Sequence, residues 1–93
     1  MSDSAFKALS DPTRREILRL LGAGELTAGQ IVDQFTISQP AVSRHLAVLR
    51  QAGLVTAVRS GQNIVYALDT TVFQDVVVAL LGIAGKAGKR KKP

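Results

Sequence analysis

The segment Thr36-Ile37-Ser38-Gln39-Pro40-Ala41-Val42-Ser43-Arg44-His45-Leu46-Ala47-Val48-Leu49-Arg50-Gln51-Ala52-Gly53 decides the fold. Ser38 reads as a helix cap, Pro40 is tolerated in the first turn, Ile37 is placed to staple onto Val42, and Gly53 ends the helix at Ala52. Upstream, Thr27 and Gln30 make a capping box and Leu26 can staple onto Ile31. This specifies a helix over about Ala28 to Phe35, with Ile31, Val32 and Phe35 as its apolar stripe. Only Thr36-Ile37-Ser38 then separate two helices. So short a connection prevents antiparallel packing along their full lengths and makes them cross steeply, which is the helix-turn-helix arrangement.

At about 100° per residue, Ala41, Val42, Leu46, Val48, Leu49 and Ala52 gather on one arc of the second helix. Gln39, Ser43, Arg44, Ala47, Arg50 and Gln51 fall on the opposite arc. That arc offers amide, hydroxyl and guanidinium groups around one methyl. Gln pairs bidentately with adenine, Arg with guanine, and a methyl touches thymine; a good bidentate pair discriminates by roughly 1–3 kcal/mol. Any exposed helix face can carry such residues, but the capped turn before it and the strands after it favour DNA contact.

Downstream, Leu54–Arg59 and Asn63–Leu68 are rich in β-branched and apolar residues, and Ser60-Gly61-Gln62 supplies a glycine for the turn. The expected hairpin places Arg59 at a basic tip, suited to a wing that reaches phosphates or the minor groove. From Ser38 to Tyr66 the chain has three basic residues (Arg44, Arg50 and Arg59) and no carboxylate to repel phosphates. Toward the N-terminus, Asp3 or Ser4 can start a short helix carrying Phe6 and Leu9. Asp11 and Pro12 start a second helix that buries Ile17, Leu18, Leu20 and Leu21 and ends at Gly22-Ala23-Gly24. Arg14, Arg15 and Arg19 read as its solvated face. After the hairpin, Asp69 or Thr70 caps a last helix whose stripes, Val72/Val76/Leu80 and Phe73/Val77/Leu81/Ala84, span too wide an arc for one neighbour.

The 93 residues admit one domain, mainly helical with a small β-hairpin, in the order α-α-α-α-β-β-α. It should occupy residues 1–85, with 86–93 as a basic tail expected to be disordered. The net charge of +5 belongs to that tail: Lys86, Lys89, Arg90, Lys91 and Lys92 are five of the twelve basic residues, leaving seven basic and seven acidic in residues 1–85. With no cysteine and one histidine, disulfides, thiolate metal sites and cysteine nucleophiles are excluded, and no metal or other cofactor is expected. His45 lies inside the apolar arc and reads as a hydrogen-bonded structural residue rather than a DNA-facing one. Glu25 and Asp75 have no visible partner, so no acid–base or nucleophilic constellation supports an enzyme. No secretory signal or membrane-length apolar run is present in the sequence, so a cytoplasmic location without membrane insertion is expected. Two other readings stay open: a nonspecific architectural DNA-binding protein relying on its basic tail, and a winged helix that binds a protein instead of DNA.

Three segments together resemble the ArsR family of winged-helix repressors, in a branch without metal sensing. They are Phe6 to Leu18, Leu26 to Ile31, and Ile37 to Leu46 continued by Leu49 and Ala52-Gly53-Leu54-Val55, and the match covers about residues 5 to 81. The resemblance implies a winged helix-turn-helix homodimer joined through its first and last helices, with the Ser38–Ala52 helix of each subunit in a major groove of a palindromic operator. The candidate DNA contacts are then Thr27, Ser38, Gln39, Pro40, Ser43, Arg44, Ala47, Arg50, Arg59 and Gln62. The candidate dimer contacts are Phe6, Leu9, Val72, Phe73, Val76, Val77, Leu80 and Leu81. Many members of the family sense metal through a cysteine pair in the segment corresponding to Glu25–Asp33 or through Asp and His ligands on the last helix. Here that segment carries Leu-Thr-Ala-Gly-Gln-Ile-Val and the last helix offers only Asp75, so the partners expected are double-stranded DNA, a second copy, and an inducer or protein that the sequence leaves unidentified.

Overall fold

A computed structural model describes residues 3–89, with side chains through Gly85. The elements are α1 (Asp3–Leu9), α2 (Pro12–Gly22), β1 (Leu26–Thr27), α3 (Ala28–Val32), α4 (Gln39–Gln51), β2 (Val55–Ser60), β3 (Asn63–Leu68) and α5 (Thr70–Lys89). The caps form as local chemistry dictates. The Asp11 carboxylate accepts the N–H groups of Thr13 (2.8 Å) and Arg14 (3.1 Å), which α2 would otherwise leave unpaired. Thr27 and Gln30 make both halves of the capping box on α3. Ser38 Oγ accepts the Ala41 N–H at 3.3 Å, and Asp69 Oδ1 accepts the Thr71 N–H at 3.0 Å, making Asp69 the residue that caps α5.

The core gathers Ile17, Leu18 and Leu21 of α2, Ile31 of α3, Val42, Leu46 and Leu49 of α4, and Ala8, Ala52, Leu54 and Val55 around them. Leu20 is only half-buried, and Val48, expected on the apolar arc of α4, is 39% exposed at its rim. At the end of α4, Gly53 adopts φ +79°, Gly53 N–H donates to Arg50 O, and Leu54 N–H donates to Leu49 O. This is a Schellman closure, which requires a left-handed residue and explains the glycine.

Four sequence expectations need correction. The described residues form three strands: β1 pairs antiparallel with β3 (Leu26 opposite Tyr66, Thr27 opposite Val65), giving the sheet order β1-β3-β2. Two residues are too short to show a strand period, and Leu26 packs half-buried on the cluster that contains Ile31. Helix α3 stops at Val32 rather than Phe35, because Gln34 and Phe35 donate to carbonyls three residues back and Phe35 folds half-buried onto the core. The turn to α4 is correspondingly longer than Thr36–Ser38. The hairpin turn is two residues, Gly61-Gln62, because Ser60 pairs with Asn63; Gly61 alone has positive φ (+62°), as the first central position of a type II′ turn requires. Finally, α5 continues to Lys89, so the expected tail begins as helix, while residues 90–93 of that tail lie outside the described residues.

Candidate nucleic-acid interface

Helix α4 is built as a polar face over an apolar back. Val42 and Leu49 are fully buried and Leu46 nearly so, whereas Gln39, Pro40, Ser43, Arg44, Ala47 and Arg50 are exposed. The same wheel that fixes the helix to the core therefore aims these groups outward.

The back of α4 is also held by polar contacts. Arg14 donates from Nε to Ala8 O (2.7 Å) and from Nη2 to Lys7 O (3.0 Å), and its Nη1 lies 3.3 Å from His45 Nδ1. A guanidinium only donates, so this contact uses Nδ1 as the acceptor. Asp11 Oδ1 lies 3.9 Å from the same ring nitrogen. The N–H of Arg14 above all, and that of Thr13, hold the Asp11 carboxyl below the usual carboxylate range. His45 is thus a half-buried structural residue, as its place on the arc suggests. The reading of the α2 arginines as a solvated face is corrected at Arg14. Arg14 turns half-buried onto the carbonyl end of α1, whereas Arg15 and Arg19 stay exposed as read, Arg15 Nη1 donating to Leu9 O at 2.9 Å and Arg19 pairing with Glu16.

The hairpin forms the wing. Directly opposed residues share a sheet face, so Ala57/Tyr66 and Arg59/Ile64 point to one side and Val58/Val65 to the other. Tyr66 lines a groove of about 450 Å³ with Ser43, Leu46, Ala47, Arg50 and Gln51 of α4. The Tyr66 side of the wing therefore faces α4, and Arg59 lies on that side with Gln62 at the tip. Of the candidate DNA contacts, the structure brings Gln39, Pro40, Ser43, Arg44, Ala47 and Arg50 onto one exposed face. Arg59 and Gln62 are exposed farther out on the wing. Ser38 and Thr27 each spend one oxygen lone pair on a cap, and Thr27 is half-buried, so each offers its hydroxyl proton and one remaining lone pair. Tyr66 was missed, since its facing depends on strand register that no local pattern prints.

The candidate dimer contacts divide. Val76 is buried, and Val72 and Phe73 pack on the domain's own core, so these three serve the fold. Leu9 is half-buried. Phe6, Val77, Leu80 and Leu81 are 40%, 51%, 51% and 65% exposed, joined by Val78 and Ile83, which the sequence reading did not single out. Among the described residues, no helix is long and apolar enough to cross a membrane and no three His, Cys, Asp or Glu side chains cluster as a metal site would require.

A capped helix–turn–helix whose second helix exposes a carboxylate-free polar face, followed by a basic hairpin, defines a winged helix-turn-helix DNA-binding protein. The family described as "Bacterial regulatory protein, arsR family" matches residues 11–57. Transcriptional repressor SdpR of Bacillus subtilis is 49% identical over 84 residues, covering 90% of this chain and 93% of that protein. An arsenical resistance operon repressor of Staphylococcus xylosus is 44% identical over 69% of this chain and 62% of its own length. Among solved structures, an ArsR-like transcriptional regulator from Rhodococcus sp. RHA1 superposes with a TM-score of 0.87 at 33% identity, covering 95% of this chain and 81% of that one. The chain belongs to the ArsR family and is a DNA-binding transcriptional regulator.

Proposed function

We propose that the protein is a homodimeric repressor that binds an inverted-repeat operator in the cytoplasm and is released by a signal other than metal or thiol oxidation. The observation that carries this is the exposed face of α4, where Gln39, Ser43, Arg44, Ala47 and Arg50 stand together with no carboxylate between Ser38 and Tyr66. The relative SdpR, which covers nearly the same length, is itself called a transcriptional repressor. The lack of cysteine and the single histidine support a release signal of another kind.

Residues 1–85 form the DNA-binding and dimerising domain. Residues 86–93 act as a removable basic arm that adds affinity without choosing the operator. Phe6 and the exposed Val77, Leu80 and Leu81 face a second copy, and the two α4 helices meet successive major grooves about 34–36 Å apart. Thr27 and Ser38, besides capping, stand at the helix ends nearest the bases.

Selecting bound sequences from a random duplex pool with purified protein should return an inverted repeat. Arg44→Ala with Gln39→Ala should then weaken operator binding far more than binding to competitor DNA. Equal losses on both duplexes would remove the base-reading role, and a weak A·T preference in place of an inverted repeat would favour the architectural reading.

A further inference from the structure

The groove between α4 and the wing contains one cation, Arg50, beside the Ser43 hydroxyl, the Gln51 amide and the Tyr66 ring, over a floor of Leu46 and Ala47. Tyr66 is half-buried, and its hydroxyl makes no hydrogen bond to any described residue. An aromatic hydroxyl left open beside a guanidinium, in a stretch without carboxylates, suits an anion. Position along α4 matters too. Recognition helices touch base edges with their N-terminal residues, and Arg50 lies in the last turn of α4, away from Gln39 and next to the strand that leads to the wing tip.

We infer that this groove seats one backbone phosphate of the DNA strand that passes between the major groove filled by α4 and the wing. Arg50 supplies the charge, and Tyr66, with Ser43, donates a hydroxyl. The inference rests on the DNA-binding reading above and divides its labour. Gln39 and Arg44 read bases, while Arg50 and Tyr66 hold register and carry no sequence information.

The test is a salt titration of the full chain on the selected operator duplex and on a scrambled duplex of equal length, with Tyr66→Phe, Arg50→Ala and Arg44→Ala compared. Tyr66→Phe keeps the ring that packs on the core, and its thermal midpoint should match the parent's. It should lose about tenfold to a hundredfold on both duplexes alike, the worth of one hydrogen bond to a charged group, with an unchanged log–log salt slope. Arg50→Ala should weaken both duplexes equally and make the slope shallower by about 0.9. Methylphosphonate substitution at successive operator phosphates should find one position whose neutralisation weakens the parent protein but not Arg50→Ala. Full affinity for Tyr66→Phe, loss confined to the operator, or no such phosphate would overturn the seat. If Arg44→Ala and Gln39→Ala leave operator preference intact while Tyr66→Phe and Arg50→Ala behave as described, the base-reading assignment fails and the phosphate seat stands.

Discussion

Helices α4 and α5 are both rich in apolar residues and end with opposite surfaces. In α4, Val42, Leu46 and Leu49 vanish into the core and the helix shows water its polar groups. In α5, Val76 is the one large apolar side chain described as buried, while Val77, Val78, Leu80, Leu81 and Ile83 are each half or more exposed. One helix is completed by its own chain. The other is anchored through Val72, Phe73 and Val76 and then carries an apolar surface past its neighbours, the kind of patch a monomer seldom leaves uncovered. Amphipathicity alone does not separate the two; the difference is whether the chain contains the surface each helix needs.

Truncating equivalent leucines would test that contrast most forcefully. Leu49→Ala removes a fully buried side chain and should cost about 2–5 kcal/mol in denaturant unfolding, enough to unfold much of so small a domain. Leu81→Ala removes a 65% exposed one, and in an isolated subunit should change stability by no more than about 0.5 kcal/mol. If a second copy covers the site, as proposed, its cost should rise with protein concentration as the dimer becomes populated. A concentration-independent loss as large as that of Leu49→Ala would mean that α5 is completed within the chain and would erase the distinction.

The two helices meet at Gly53, where a smaller effect is expected. A Cβ built there would lie 2.9 Å from Val72 Cγ2 of α5, and φ is +79°. The branched valine cannot swing away as a long side chain would. Gly53→Ala should therefore cost about 1–3 kcal/mol by forcing a left-handed backbone and crowding the anchor of α5. Gly61→Asn is the control. Its φ is +62°, but nothing stands within 4 Å, and asparagine tolerates that region. Equal losses at both sites in thermal unfolding would mean that backbone strain alone governs Gly53 and that its contact with α5 contributes nothing.

The same contrast explains what was legible in the sequence. The starts of α2, α4 and α5 could be read because Asp11, Ser38 and Asp69 act on N–H groups two or three residues away, so the structure needs no distant partner to explain them. β1 could not be read, because Leu26 and Thr27 become a strand only by pairing with Tyr66 and Val65, far along the chain. The early end of α3 had the same cause: the packing of Phe35 overrides a continuing helical pattern. At the candidate site, the outward face of α4 followed from periodicity. Tyr66 and the inward turn of Arg14 did not, since both depend on which element sits opposite. For α5, the wheel showed that the arc was too wide but not that Val76 would be spent on the fold while Val78 stayed exposed.

The smallest effect concerns the polar tie on the back of α4, which has no counterpart among the described side chains of α5. Asp11 caps α2 and stands 3.9 Å from the His45 ring on the back of α4. Hydrogen bonds from the Arg14 and Thr13 N–H groups lower its carboxyl below the ordinary value, so the folded chain binds that proton more weakly than the unfolded chain, whose Asp titrates near about 3.9. Stability from this group is therefore fully present above the unfolded value and is lost as pH falls through the lowered folded one. Asn caps a helix about as well as Asp but does not titrate in this range. Asp11→Asn should unfold close to the parent near neutrality, and the gap between the two should shift in favour of the variant as pH falls below the unfolded value and through the lowered folded one, where the parent loses its ionised cap. The residual gap near neutrality measures what the charge facing Arg14 and His45 adds to the seating of α4. A difference constant across the acid range would show that the carboxylate contributes only its geometry, and would leave apolar burial as the sole distinction between the two helices.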